Sequence, residues 1–117
     1  LSLRRQRQMC IRDRAKRIND YYATNHLIHE AIIQLADNKW LAQVIGDLRK
    51  ILKLARQQQL HAPGRLEQSL SEHLAVFAAL KARDSEGADA AMRTHMTRQR
   101  EALREVMRNQ QKSRVMP

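Results

Sequence analysis

Apolar residues recur at steps of three and four along most of the chain, and this period is what most constrains the fold. The clearest stretch follows Asn38, where one helix face carries Leu41, Val44, Ile45, Leu48, Ile51, Leu52 and Ala55. Such a stripe is typical of an amphipathic helix that packs on a core. The composition agrees, since hydrophobic residues make up 43% of the chain and aromatic residues only 3%. The sequence therefore predicts an all-α protein of one domain at most.

Four helices are predicted from the points where this period stops. Asn38 can cap the second helix, Pro63 and Gly64 separate it from the third, and Asp84 or Ser85 can cap the last. The predicted spans are 15–36, 39–58, 65–83 and 85–109. Short connections favour an antiparallel bundle of about four helices, with residues 15–110 as the domain and 111–117 as a frayed tail.

Three of these helices carry a histidine on the apolar face: His29, His73 and His95. An isolated histidine of this kind is usually a hydrogen-bonded core residue. Burying three imidazoles without partners would cost roughly 1 to 3 kcal/mol for each group, and one divalent cation could satisfy all three. Asn25 precedes His29 by one helical turn, so both side chains project from the same face. His26 faces away from His29, and His61 is expected in a loop, so neither belongs to the predicted site.

The order of these residues resembles a known family. The chain is similar to the FCD domain, the effector-binding C-terminal domain of FadR-subclass GntR transcription regulators, in three segments: Asn25-x-x-Ile28-His29, Glu72-His73 followed by Ala79-Leu80-x-Ala82-Arg83-Asp84, and Ala90-Ala91-Met92-Arg93-x-His95. The resemblance covers roughly residues 15–106. It implies an all-helical pocket with a divalent metal at its floor, where a small carboxylate effector completes the coordination.

Carried over to this chain, the resemblance implies the metal ligands Asn25, His29, His73 and His95. Two positions depart from the family pattern: the neutral Asn25 stands where aspartate is commoner, and Ile28 stands where an aromatic residue often precedes the histidine. Imidazoles with one amide oxygen favour zinc or nickel over manganese or iron.

Two arginines at the edge of the second stripe, Arg49 and Arg56, are candidate effector-binding residues. A guanidinium binds a carboxylate well through two parallel hydrogen bonds. The alternative is that they belong, with Lys50 and Lys53, to a solvated helix face.

Basic residues are concentrated in residues 1–14, which hold five arginines and one aspartate and so contribute +4 of the net charge of +10. The run from Arg4 to Arg14 is similar to a peptide that recurs in environmental sequence collections as the translation of a sequencing-library adapter. On that interpretation residues 1–14 are a non-native or disordered arm. The chain is then N-terminally truncated and lacks a winged helix-turn-helix domain, and its apolar stripes should stay partly exposed. The alternative is a native basic arm.

The cysteine count and the hydropathy limit which stabilising bonds, metal sites and cellular location the chain can have. The sole cysteine, Cys10, excludes a disulfide framework and a cysteine-based zinc site. No stretch approaches eighteen consecutive apolar residues, and the N-terminus has no apolar signal region. We therefore expect a cytoplasmic protein that does not contact a membrane.

Three functions are compatible with these observations. The first is a sensor of a small organic acid that alters DNA binding by an attached domain, in a full-length protein expected to be a homodimer. The second is a metal-dependent helical-bundle enzyme, although Glu72, next to His73, points about 100° away on the helix and offers no clear general base. The third is a basic nucleic-acid-binding protein, but one Trp, one Phe and two Tyr are too few for a base-stacking platform. The first function is preferred, and it is not enzymatic.

Overall fold

Most of the described backbone is helical, as the period of apolar residues and the capping residues predicted. The computed structural model describes residues 3–115, except for the side chains of residues 10 and 11. The described residues form five α-helices and no strand: α1 (Leu3–Leu35), α2 (Lys39–Ile51), α3 (Lys53–Gln59), α4 (Arg65–Lys81) and α5 (Ser85–Val115). The predicted all-α class is confirmed. The backbone divides into two compact units, Leu1–Gln57 and Gln58–Pro117.

In the first unit, α1 ends at a tight turn and Asn38 starts α2. Asp37 adopts a left-handed φ of +50°, and Asn38 follows in extended conformation with φ of −131°. The Asn38 side-chain oxygen accepts hydrogen bonds from the backbone N–H groups of Trp40 and Leu41, at 3.2 and 3.1 Å. These bonds satisfy N–H groups that have no partner within the helix, and they confirm the predicted cap.

The predicted second helix is divided in two at Leu52. Arg49 and Arg56 lie on either side of this junction, and the Arg56 Nη2 donates a hydrogen bond to the Arg49 carbonyl oxygen at 2.8 Å. The prediction of one helix over 39–58 was therefore wrong at this point. The apolar period continues through the junction, so the side-chain pattern did not reveal it.

The apolar stripe of α2 is not part of a core. No residue of α2 is buried, and its large apolar side chains are exposed by 36% to 77%. The expectation that this stripe packs on a core was therefore wrong for the described chain. The hydrogen bonds of a helix form within its own segment, whereas burial of its apolar face needs a covering surface. Among the described residues, the buried hydrophobic side chains are Ile18, Leu60 and Val76, which agrees with the expected exposure of apolar stripes.

The second unit is a hairpin of α4 and α5. Gly64, with φ of +75°, precedes α4. Beyond α4, Arg83 has φ of +56°, and the Asp84 N–H donates to the Ala79 carbonyl at 2.9 Å. This pattern closes the C-terminus of a helix. Asp84 Oδ1 also accepts from the Gly87 N–H at 2.9 Å, which confirms the predicted cap of the last helix.

The face that α4 buries in the hairpin is mostly polar. It carries Arg65, Ser69, Glu72, His73 and Val76, opposite His95 and Gln99 of α5. His73 was predicted to look inward and does. The apolar stripe of α4, on which His73 was predicted to lie, is not buried with it, since Leu70, Leu74, Phe77 and Leu80 are exposed by 45% to 65%. The apolar and the polar residues of α4 both recur with the helical period, and the polar face is the one that packs against α5.

Two terminal segments differ from their predicted state. Residues 3–14, predicted to be a non-native or disordered arm, form the first turns of α1. Residues 111–115, predicted to fray, continue α5. The non-native origin of residues 1–14 stays a prediction, and residues 1, 2, 116 and 117 lie outside the described residues.

Candidate metal centre

Two buried imidazoles meet inside the α4–α5 hairpin. The Nε2 atoms of His73 and His95 lie 3.1 Å apart, and the two residues are only 6% and 1% exposed. Two nitrogens bound to one zinc ion at about 2.0–2.1 Å, with an angle of about 90–110° between them, would lie about 2.8–3.4 Å apart. The observed separation therefore suits two ligands of a single ion.

Glu72 holds the far side of the His95 ring. Its Oε1 lies 2.7 Å from His95 Nδ1, and its side chain is 1% exposed. A carboxylate accepts hydrogen bonds, so the Nδ1–H group of His95 is the donor. In the neutral ring this leaves the lone pair on Nε2, the atom that faces His73. A carboxylate behind a histidine is a common arrangement around protein-bound metals.

A buried arginine compensates the charge of Glu72. Arg65 Nη1 donates to both Glu72 oxygens, at 3.0 and 3.2 Å. Its Nε donates to Gln59 at 2.6 Å, and its Nη1 also donates to Gln68 at 2.9 Å. Arg98, half-exposed, lies 3.5 Å from Glu72 Oε2. A buried carboxylate is tolerated only when it is paired in this way.

Sequence reasoning missed this role of Glu72. It considered only the angle between Glu72 and His73 on one helix, whereas the Glu72 carboxylate reaches across to His95. The available signal was the helical spacing of Arg65, Ser69, Glu72 and Val76, which marks a second stripe on α4.

The other two predicted ligands belong to α1. Asn25 and His29 are both buried, at 6% exposure each, and lie one helical turn apart. The side-chain oxygen of Asn25 is buried and has no hydrogen-bond partner. Leaving a buried acceptor unsatisfied costs about 1–3 kcal/mol. An oxygen in this state is suited to a cation ligand, so Asn25 fits the implied metal.

His29 is buried in the first unit, and His73 and His95 are buried in the second. Each offers a ring nitrogen as a possible metal ligand. They are the three histidines that the sequence singled out. His26 and His61 are exposed, as expected for residues outside the site.

A separate pocket of about 730 Å³ lies within the first unit, between α1 and the helices that follow it. Both predicted effector-binding arginines line it, together with Tyr22, Ala23, His26, Glu30, Ala42, Gln43, Gly46, Asp47, Lys50, Lys53 and Gln57. Four basic side chains thus face two acidic ones, Glu30 and Asp47. The excess of positive charge favours an anionic occupant.

The two arginines of this pocket lie close together. The Arg56 guanidinium sits over the Tyr22 ring at 5.3 Å from its centroid. Burial lowers the pKa of Arg49, and the positive charge of Arg56 lowers it further. The Nη2 atom of Arg49 is buried and has no hydrogen-bond partner. Arg49 is therefore a donor that a bound anion would satisfy.

The family model of the FCD domain matches residues 2–98, and the chain belongs to this family. Among its relatives is the HTH-type transcriptional repressor RspR of Escherichia coli (strain K12), which is 26% identical over 91 residues. The uncharacterized HTH-type transcriptional regulator YdfH of Shigella flexneri and that of Escherichia coli O6:H1 show the same identity over the same length. Each match covers 78% of this chain but 40% of the relative. No solved structure matches the chain.

The family match confirms the resemblance found in the sequence. The names of the relatives agree with a transcription regulator rather than an enzyme. None of the described helices combines the length and apolarity needed to traverse a membrane.

Proposed function

We propose that this chain is the effector-sensing domain of a bacterial transcription regulator and binds a small carboxylate through a divalent metal. The observation that carries the proposal is the His73–His95 pair, whose Nε2 atoms lie 3.1 Å apart and buried. This spacing suits two nitrogen ligands of one divalent ion, and Glu72 binds the other nitrogen of the His95 ring.

The proposed ligands are Asn25, His29, His73 and His95. Three imidazole nitrogens and one amide oxygen favour zinc or nickel. When bound, the ion would supply a positive charge that polarises and anchors a carboxylate. The chain's own contribution is to exclude water from these side chains and to hold their donor atoms. The unpartnered oxygen of Asn25 supports its place among them.

The effector itself is proposed to contact Arg49 and Arg56. Their pocket has the volume of a small-molecule site, and paired guanidiniums recognise carboxylates through parallel hydrogen bonds. The residues of α1 that line this pocket, such as His26 and Glu30, belong to the same helical turns as Asn25 and His29. A small organic acid is therefore the proposed class of effector.

The whole regulator is proposed from the relatives, since the chain spans less than half of their length. In that protein a helix-turn-helix domain would bind DNA, and effector binding would change the helical packing of this domain. We propose a homodimer located in the cytoplasm. No segment described here is assigned to DNA contact.

Isothermal titration calorimetry with Zn²⁺ and Ni²⁺ tests the metal site. We expect one ion per chain for the unchanged protein and loss of stoichiometric binding in His73→Ala. Circular dichroism checks that His73→Ala keeps its helices, whose backbone hydrogen bonds do not involve the imidazole. The matched control is His61→Ala, which removes an exposed imidazole outside the helices and should bind metal normally. Undiminished metal binding by His73→Ala would remove His73 from the site and refute the proposed centre.

A further inference from the structure

We infer that Glu72 is a positioning residue that fixes His95 in the tautomer carrying its hydrogen on Nδ1. The inference deepens the proposed function and rests on it where metal affinity is concerned. Its geometric part concerns only the second unit.

The His95 ring has two nitrogens with different surroundings. Nδ1 faces the Glu72 carboxylate at 2.7 Å, while Nε2 faces His73 Nε2 at 3.1 Å. A carboxylate can only accept, so the hydrogen on Nδ1 is stabilised by a charge-assisted bond inside a buried site. Without Glu72 the two tautomers would compete, and a hydrogen on Nε2 would block the atom that must bind a cation.

Arg65 gives Glu72 its fixed orientation. The Arg65 Nη1 contacts both carboxylate oxygens, and Arg65 is itself anchored to Gln59 and Gln68. The charged or titratable groups that face the carboxylate are Arg65, Arg98 and the His95 ring. All of them donate hydrogen bonds to it, so Glu72 serves as an acceptor only. The chain of contacts runs from the end of α3 through Arg65 and Glu72 to the His95 ring.

This arrangement predicts an effect of Glu72→Gln that is not simply loss of packing. Glutamine has nearly the same shape, but its amide can donate as well as accept. The His95 tautomer is then no longer enforced. Removing a carboxylate behind a metal-bound histidine typically lowers metal affinity by about 10–100-fold, and we expect a loss of that size for Zn²⁺.

Two measurements separate the inference from the proposed metal site. Long-range ¹H–¹⁵N correlation spectra of the metal-free chain at a pH of about 9, where imidazole is neutral, report the tautomer of His95 directly. We expect the Nδ1–H form in the unchanged chain and a shift toward the Nε2–H form in Glu72→Gln. Calorimetry with Zn²⁺ then measures the loss of affinity. The control Glu67→Gln changes an exposed carboxylate of the same helix and should alter neither result.

An Nε2–H tautomer of His95 in the unchanged chain would overturn the inference, even if Glu72→Gln does not fold. An unchanged tautomer in Glu72→Gln would also overturn it. A tautomer shift in a chain that binds no Zn²⁺ would support the positioning role of Glu72 and refute the proposed metal site. The two failures are therefore distinguishable.

Discussion

At the scale of single residues, Arg49 shows how one side chain can destabilise the folded state and yet favour the binding of an anion. Burial and the neighbouring Arg56 both lower its pKa, which means that the folded chain destabilises the charged form of this guanidinium. Its buried Nη2 has no acceptor. A bound ligand can supply the partner that a buried donor in this state lacks. Glu72 is the opposite case, because its buried charge is satisfied within the hairpin by Arg65 and His95.

Arg49→Met should raise the free energy of unfolding by about 1 kcal/mol, because it removes an unsatisfied buried donor while keeping an apolar stem. Urea denaturation without added anion measures this change. The control Lys53→Met removes an exposed charge from the same pocket and should change stability by less than about 0.5 kcal/mol. If Arg49 holds the effector, Arg49→Met should also weaken citrate binding by the zinc-loaded chain. A less stable Arg49→Met would contradict this account.

At the scale of elements, helix ends are specified by short-range chemistry. Asn38 was predicted to cap α2, and Asp84 or Ser85 to cap the last helix, because their side-chain oxygens can accept from the N–H groups of the next turn. Asn38 and Asp84 do so. The turn after α4 is less well matched to its sequence. Arg83 has φ of +56°, a region that costs a residue with a Cβ roughly 1 kcal/mol or more. Glycine is the usual residue at this place.

Arg83→Gly should therefore stabilise the chain by about 0.5–1 kcal/mol, since glycine adopts positive φ without strain. The midpoint of urea denaturation provides the measurement. Lys81→Gly is the matched control, because it places glycine at a helical position, the last residue of α4, where we expect a loss of up to about 1 kcal/mol. Equal effects of the two substitutions would show that the positive φ of Arg83 carries no strain.

At the scale of the whole molecule, three hydrophobic and ten polar or charged side chains are buried among the described residues. Such an interior is costly unless its polar groups are satisfied. In the proposed state a metal ion supplies part of that satisfaction for Asn25 and the histidines. Ligand binding to the folded state alone raises stability by mass action.

Zn²⁺ should therefore raise the melting temperature of the chain, and a chelator should reverse the change. At a free concentration of about 100 times the Kd, the expected stabilisation is about 2.7 kcal/mol. Thermal denaturation followed by circular dichroism measures it, with His61→Ala responding like the unchanged chain and His73→Ala not responding. An equal rise in His73→Ala would place the stabilising ion elsewhere.

What the sequence by itself determined is local. Helical period, capping residues and turn residues act over a few positions, so the all-α class and most helix boundaries followed from them. The three histidines were also found by their helical spacing, and all three are buried. The order of the motifs was enough to recognise the family.

What only the tertiary structure decided is which helix face is buried and which side chains meet across helices. Two stripes on α4 have the same helical period: an apolar one with Leu70 and Leu74, and a polar one with Arg65 and Glu72. The polar stripe is buried because its side chains bind His95 of α5 and Gln59 at the end of α3. The pairing of Glu72 with His95 joins positions 23 residues apart. No local pattern encodes such a contact, because its free energy depends on the desolvation of both groups together.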